Sequence, residues 1–175
     1  SPSGLVSSAS APPVGEPSGS PTVRVPKTND STVFARALAT LAFSYDTRSE
    51  SRDAWRTSLM SWLGPDGTLD TMAEAQGDVD RVVPGADVWP QMRALHQRAT
   101  FDVTSAYVPQ QAVAAQRDYG NQWPPGTSVI TVRGNQNLSW DGGSQTAFRT
   151  MTIFVICQPT HSYCMVDRIP PQVIS

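Results

Sequence analysis

A chain of 175 residues can form one domain with its own core, and a formal net charge of −2 argues against a nucleic-acid footprint. Apolar runs reach only five or six residues, too short for a membrane span. No leader pattern opens the chain, and Ser1 in place of Met suggests a fragment or processed form, with any membrane anchor lying upstream. Basic residues are twelve Arg against the single Lys27, which with abundant Ala, Val, Gly and Pro suggests a GC-rich bacterial genome.

Residues 1–28 open the chain as a Ser/Pro/Gly-rich segment: fifteen of the first 22 residues are Ser, Pro or Gly. Such a stretch buries too little apolar surface to offset its ordering entropy, so it reads as a disordered linker ahead of a single domain at 29–175. Asn29, Asp30 and Ser31 offer N-caps for a first helix. Phe34, Leu38, Leu41, Ala42 and Tyr45 then fall at helical spacing on one stripe. A second apolar stripe joins Trp55, Leu59, Trp62 and Leu63. Thr47 and Glu50 are spaced as a capping box for this second helix, which Gly64-Pro65 ends. Helices this short and one-sided need a partner surface.

From 64 to 90 the pattern weakens. A helical turn at Leu69 and Met72, a brief strand or loop at Val79, Val82 and Val83, and a short helical turn over 88–95 are all that the residues suggest. Strands follow. Residues 99–108 alternate, with Phe101, Val103 and Tyr107 on the expected core face and Asp102 opposite. Residues 109–126 read as a loop with a turn of helix at 110–116. A long strand at 128–140 carries an expected bulge or bend at Gly134. Asp141-Gly142-Gly143 signals a hairpin turn. The next strand, 145–158, places Phe148, Thr150, Thr152, Phe154 and Ile156 on one face, and a last strand covers 163–169. Helices first and about four antiparallel strands after them predict an α+β domain whose curved sheet forms a half-open cone around the helices.

The C-x6-C spacing of Cys157 and Cys164 matches no standard zinc or redox motif. In the last hairpin, a register that puts Val155 opposite Val166 also puts Cys157 opposite Cys164. Opposed antiparallel residues lie within disulfide reach. A cross-strand disulfide is therefore predicted, contributing about 2–3 kcal/mol by loop closure and placing the domain in an oxidising, extracytoplasmic compartment.

Reacting groups are sparse. His161 reads as a solvated turn residue and His96 as a surface residue at a helix-to-strand junction; neither has the partner spacing of a metal site. Asp102 inside a cone, with Tyr45 or Tyr107 as donors, would make a general base, but its alternation points it to solvent. Asp46 reads as a cap at the helix corner. Hydrolase, phosphate-loop and dinucleotide motifs are absent from the sequence. Trp55 and Trp62 read as core. Trp89, Trp123 and Trp140 sit at element ends, where they either pack locally or anchor a partner. No catalytic, cofactor-binding or metal residue is expected.

The run FARALATLAFSYDT followed by AWRTSLMSWL, a loop region and the late strands resembles the nuclear-transport-factor-2-like superfamily. Within it, residues 31–169 are most similar to extracytoplasmic domains of Gram-positive conjugation proteins, relatives of the bitopic assembly factor of type IV secretion systems. That resemblance implies a non-enzymatic scaffold anchored in the cell membrane by an upstream helix. It also implies contacts with other components of the secretion channel, and self-association as a homodimer or homotrimer, without direct nucleic-acid binding or cofactors. Two alternatives stand beside it: a small-molecule isomerase or dehydratase of the same fold, and an accessory protein of an actinobacterial lipid-import system.

Overall fold

The computed structural model describes residues 23–65 and 69–171. The linker expectation for residues 1–22 lies outside them. Residues 23–28 run along the domain: Val25 packs on the core, and the Cys164 N–H donates to the Thr28 carbonyl at 2.8 Å.

Helix α1 spans Ser31–Phe43, with Asp30 as its N-cap accepting from the Thr32 and Val33 amides at 3.0 Å each. Phe34, Ala35, Leu38, Ala39 and Ala42 form its buried stripe. The helix stops two residues short of Tyr45, which instead opens a two-residue strand β1, Tyr45–Asp46. The link between the two predicted helices is therefore a strand and a turn. Helix α2, Arg52–Met60, is capped by Ser51, whose Oγ accepts from the Ala54 amide at 3.0 Å. The Thr47–Glu50 capping box does not form. Thr47 is fully buried and its hydroxyl donates to the Gln97 carbonyl at 2.6 Å, tying the corner to the start of the next strand.

Helix α3 occupies Leu69–Val82, where only a turn and a strand or loop were expected. Ala75, Val79 and Val83 are buried at helical spacing, and Met72 and Val82 pack beside them. The polar run around Gly77 hid this stripe, because tertiary contact rather than propensity holds it. Helix α4 covers Trp89–Ala94, within the helical turn expected at 88–95. After strand β2, Arg98–Tyr107, helix α5 extends over Gln110–Tyr119 with no fully buried residue, longer than the single turn expected there. Strands β3 (Thr127–Trp140), β4 (Gly143–Ile156) and β5 (Met165–Arg168) complete the chain.

The sheet is one antiparallel meander in the order β1-β2-β3-β4-β5, five strands instead of about four. It curls into a half-barrel around α1, which contacts β2, β3 and β4. The curl has a local cause. The register slips between Val103 and Ser105 of β2, opposite Gly134 and Arg133. A Cβ at Gly134 would collide with the Asp102 carbonyl oxygen and come within 2.6 Å of the Phe101 ring, so only glycine fits the bend. The bulge itself lies on β2, across from the predicted position.

That bulge inverts the alternation. Phe101 and Val103 face the core as expected, but beyond it Ala106 turns inward and Tyr107 lies 37% exposed. On β4, where the sequence suggests Phe154 as an inward residue, the inner face is instead that of Met151, Ile153 and Val155, which are buried, whereas Phe148 on the Phe154 face is 60% exposed. Runs in which both faces are apolar, such as TIFVI, cannot be phased by alternation alone. The hairpin turn at Asp141-Gly142 forms as predicted, with Gly142 at φ +92°.

The disulfide joins Cys157 to Cys164, and Val155 opposes Val166 as the register argument required. The Val166 N–H donates to the Trp62 carbonyl and its own carbonyl accepts from the Gly64 amide, each at 2.8 Å, so the end of α2 is stitched to β5.

Candidate functional site

At the open mouth of the half-barrel lies a cavity of about 1050 Å³, between the C-terminal ends of α1 and α3, helix α4 and the concave face of β3 and β4. Its floor is aromatic. Tyr45 and Trp55 line it, and Trp89 packs behind them, completing a triangle with ring centroids 5.1–5.8 Å apart. Trp89 is 6% exposed, so it belongs to the core and presents no free ring to a partner. Trp55 anchors the wall by donating from Nε1 to the Leu41 carbonyl at 3.0 Å. Burial pushes the Tyr45 phenol up to about 12, with the positive charge of Arg149 pulling the other way.

One polar relay crosses the mouth. Arg149 Nε donates to Gln136 Oε1 at 2.8 Å, and Gln136 Nε2 donates to the Phe43 carbonyl at 3.0 Å. It satisfies an orphan carbonyl at the end of α1 and fixes the guanidinium at the cavity surface. The carboxylate that lines the cavity is Asp78, 1% exposed. Arg168 grips it at 2.6 and 3.1 Å, the Ile169 amide donates at 2.9 Å, and Arg81 donates as well. Burial raises the Asp78 carboxyl, but these donors outweigh it and hold the group below its ordinary range. An acid saturated with cationic donors is a poor proton acceptor. It acts instead as a clamp joining α3 to β5.

The residues singled out from the sequence do not converge on this cavity. Asp102 is exposed on the opposite face, as its alternation predicted, and accepts from Asn137 Nδ2 at 2.8 Å. Asp46 is fully buried and caps its turn: it accepts from the Arg48 amide at 2.9 Å and pairs with the Arg48 guanidinium at 2.7 Å. The Arg48 hydrogen bond is the main reason its carboxyl is depressed, despite burial. Glu50, freed from any capping role, has its carboxyl raised by burial. His96, at φ 53°, pairs through Nδ1 with Asp141 at 2.7 Å on the surface. His161 is half-buried, not solvated, and its Nε2–H donates to the Gly64 carbonyl at 2.5 Å. Trp123 and Trp140 are half-buried; the Trp140 ring lies close over Gly143.

The sequence reading missed Asp78, Arg81 and Arg168. A signal existed, since Asp78 and Arg81 are three apart beside the apolar Val79 and Val83, but it becomes legible only once α3 is recognised as a helix. Among the described residues, no three His, Cys, Asp or Glu side chains cluster as metal ligands, and no helix is long and apolar enough to cross a membrane. Compared with family models, curated proteins and solved structures, the chain matches none.

Proposed function

We propose that this domain is a non-enzymatic assembly component of a bacterial conjugative, type IV secretion, apparatus, acting through protein contacts outside the cytoplasmic membrane. The half-barrel around α1 is compatible with a nuclear-transport-factor-2-like cone, the fold implied by the FARALATLAFSYDT and AWRTSLMSWL segments. The Cys157–Cys164 disulfide supports an oxidising compartment.

The observation that carries the non-enzymatic reading is the state of Asp78. An isomerase or dehydratase of this fold needs a carboxylate free to take a proton inside the cone. The cavity is large enough for a small substrate, but its lining acid is held by Arg168, Arg81 and a backbone amide. What remains at the mouth is an apolar surface edged by arginines, suited to holding a polypeptide.

Deletion of the gene in its host, followed by a mating assay, tests this role. A fall in transfer frequency, restored by the gene in trans, is expected. Undiminished transfer would remove the proposal.

A further inference from the structure

The long strand β4 pairs with β5 only through Phe154, Val155 and Ile156. Among the described residues, no strand pairs with its 143–149 edge, which runs about 20 Å at the usual strand rise. Backbone phase shows which groups face outward there. Both hydrogen-bonding groups of Val166 are used by Trp62 and Gly64, on the side away from β4. Val155, opposite Val166, therefore directs its own groups to β3, and the Cys157 N–H, donating to the Gly126 carbonyl, keeps the same phase. The β3–β4 register runs without a slip from Thr127–Ile156 to Trp140–Gly143. Odd residues of β4 thus bond β3. Ser144, Thr146 and Phe148 turn their N–H and C=O groups to the outer edge.

Natural edge strands are guarded by Pro, Lys, bulges or short length. Over 143–149 this one has no Pro, Lys or bulge; its inward-pointing charge there is Arg149, at the end of the stretch, and Phe148 is exposed. It also borders the cavity, to which both Phe148 and Arg149 belong. Residues of an added strand that stand opposite Arg149 share its face and meet the cavity mouth. Among the described residues, the charged groups lining the cavity are Arg81, Arg133 and Arg149 against Asp78, whose charge Arg168 and Arg81 already balance, so these residues give the mouth a positive excess.

We propose that the 143–149 edge of β4 is a docking edge for an extended partner segment. That segment adds as a sixth strand, turns its acidic side chains toward the cavity and lays the apolar ones between them on the outer face beside Phe148. Main-chain hydrogen bonds to Ser144, Thr146 and Phe148 supply the register, and the arginine-edged mouth selects for carboxylates. This inference rests on the protein-contact role proposed above.

The probe is an acetylated, amidated peptide of about eight residues alternating valine and glutamate, a strand of ordinary length. Its binding to the intact domain is followed by fluorescence anisotropy. Amide resonances of Ser144, Thr146 and Phe148 are expected to shift and gain exchange protection. Thr146→Pro removes an outward donor without touching the β3 ladder, so the domain stays folded, and affinity falls by about fivefold or more. Methylating alternate peptide nitrogens abolishes binding, a control independent of any protein variant. Arg149→Glu weakens the glutamate peptide and favours its lysine counterpart. Equal binding of the methylated peptide, or no binding of the parent peptide, overturns the proposal. So does a sedimentation result in which a second copy of the chain occupies the edge and Thr146→Pro dissolves the dimer. If deletion reduces transfer while Thr146→Pro complements fully, the docking edge fails and the scaffold role stands. If deletion leaves transfer unchanged, the scaffold role itself fails.

Discussion

Replacing Asp78 with Asn tests how α3, absent from the sequence reading, is locked to the end of the sheet. The side chain is 1% exposed and accepts from Arg168, Arg81 and the Ile169 amide. Asparagine keeps the shape, but loses the charge and points an amide N–H₂ at donors. Removing one partner of a buried ion pair costs about 3–5 kcal/mol. Here the Arg168 and Arg81 side chains are 32% and 47% exposed and can recover water, so a cost near 2–3 kcal/mol is expected. For a domain of this size that lowers Tm by about 4–12 °C. The sign with pH follows from the depressed carboxyl. Its contribution is present above the ordinary carboxylate value of 3.8 and is lost as the pH falls through the lower folded value. Urea unfolding at pH 7 and again near pH 3 should therefore show a large difference between wild type and Asp78→Asn that shrinks in acid. A cycle with Arg168→Met should show strong coupling. A cost below about 1 kcal/mol at pH 7, or one that is the same at both pH values, would refute the clamp.

Three further outcomes follow from the packing. Reducing Cys157–Cys164, which closes a separation of 7 residues, should lower unfolding stability by about 2.5 kcal/mol; two alkylatable thiols in the native, unreduced protein would contradict the bond. Gly134→Ala should destabilise by about 1–3 kcal/mol in urea unfolding, because its Cβ meets the β2 backbone. Asp102→Asn, on the solvent face, should change stability by less than about 0.5 kcal/mol in the same assay, and a larger loss would place Asp102 elsewhere.

Legibility followed the strength of local signals. The α1 stripe and its Asp30 cap, the Asp141-Gly142 turn and the cysteine register could all be read, because each depends on neighbours within one turn, hairpin or helix. What was not legible depends on distant residues. Helix α3 is stabilised where Val79 and Val83 meet the core and where Asp78 meets Arg168, 90 positions along the chain. The face of β4 depends on which side of TIFVI meets α1, and the phase of β2 on a bulge dictated by Gly134 of the next strand. Thr47 looked like a cap because its spacing to Glu50 fits one, yet its hydroxyl is taken by Gln97. At the cavity, Tyr45 and Trp55 could both be read as members of apolar stripes; Trp89, packed behind them, joins through tertiary contact.

The measurement closest to the central claim is transfer frequency in a strand-for-strand mating assay of the deletion host, carrying either the wild-type gene or none. The account predicts that deletion depresses transfer and that wild type restores it. Transfer at full frequency without the gene would contradict an assembly role in conjugation.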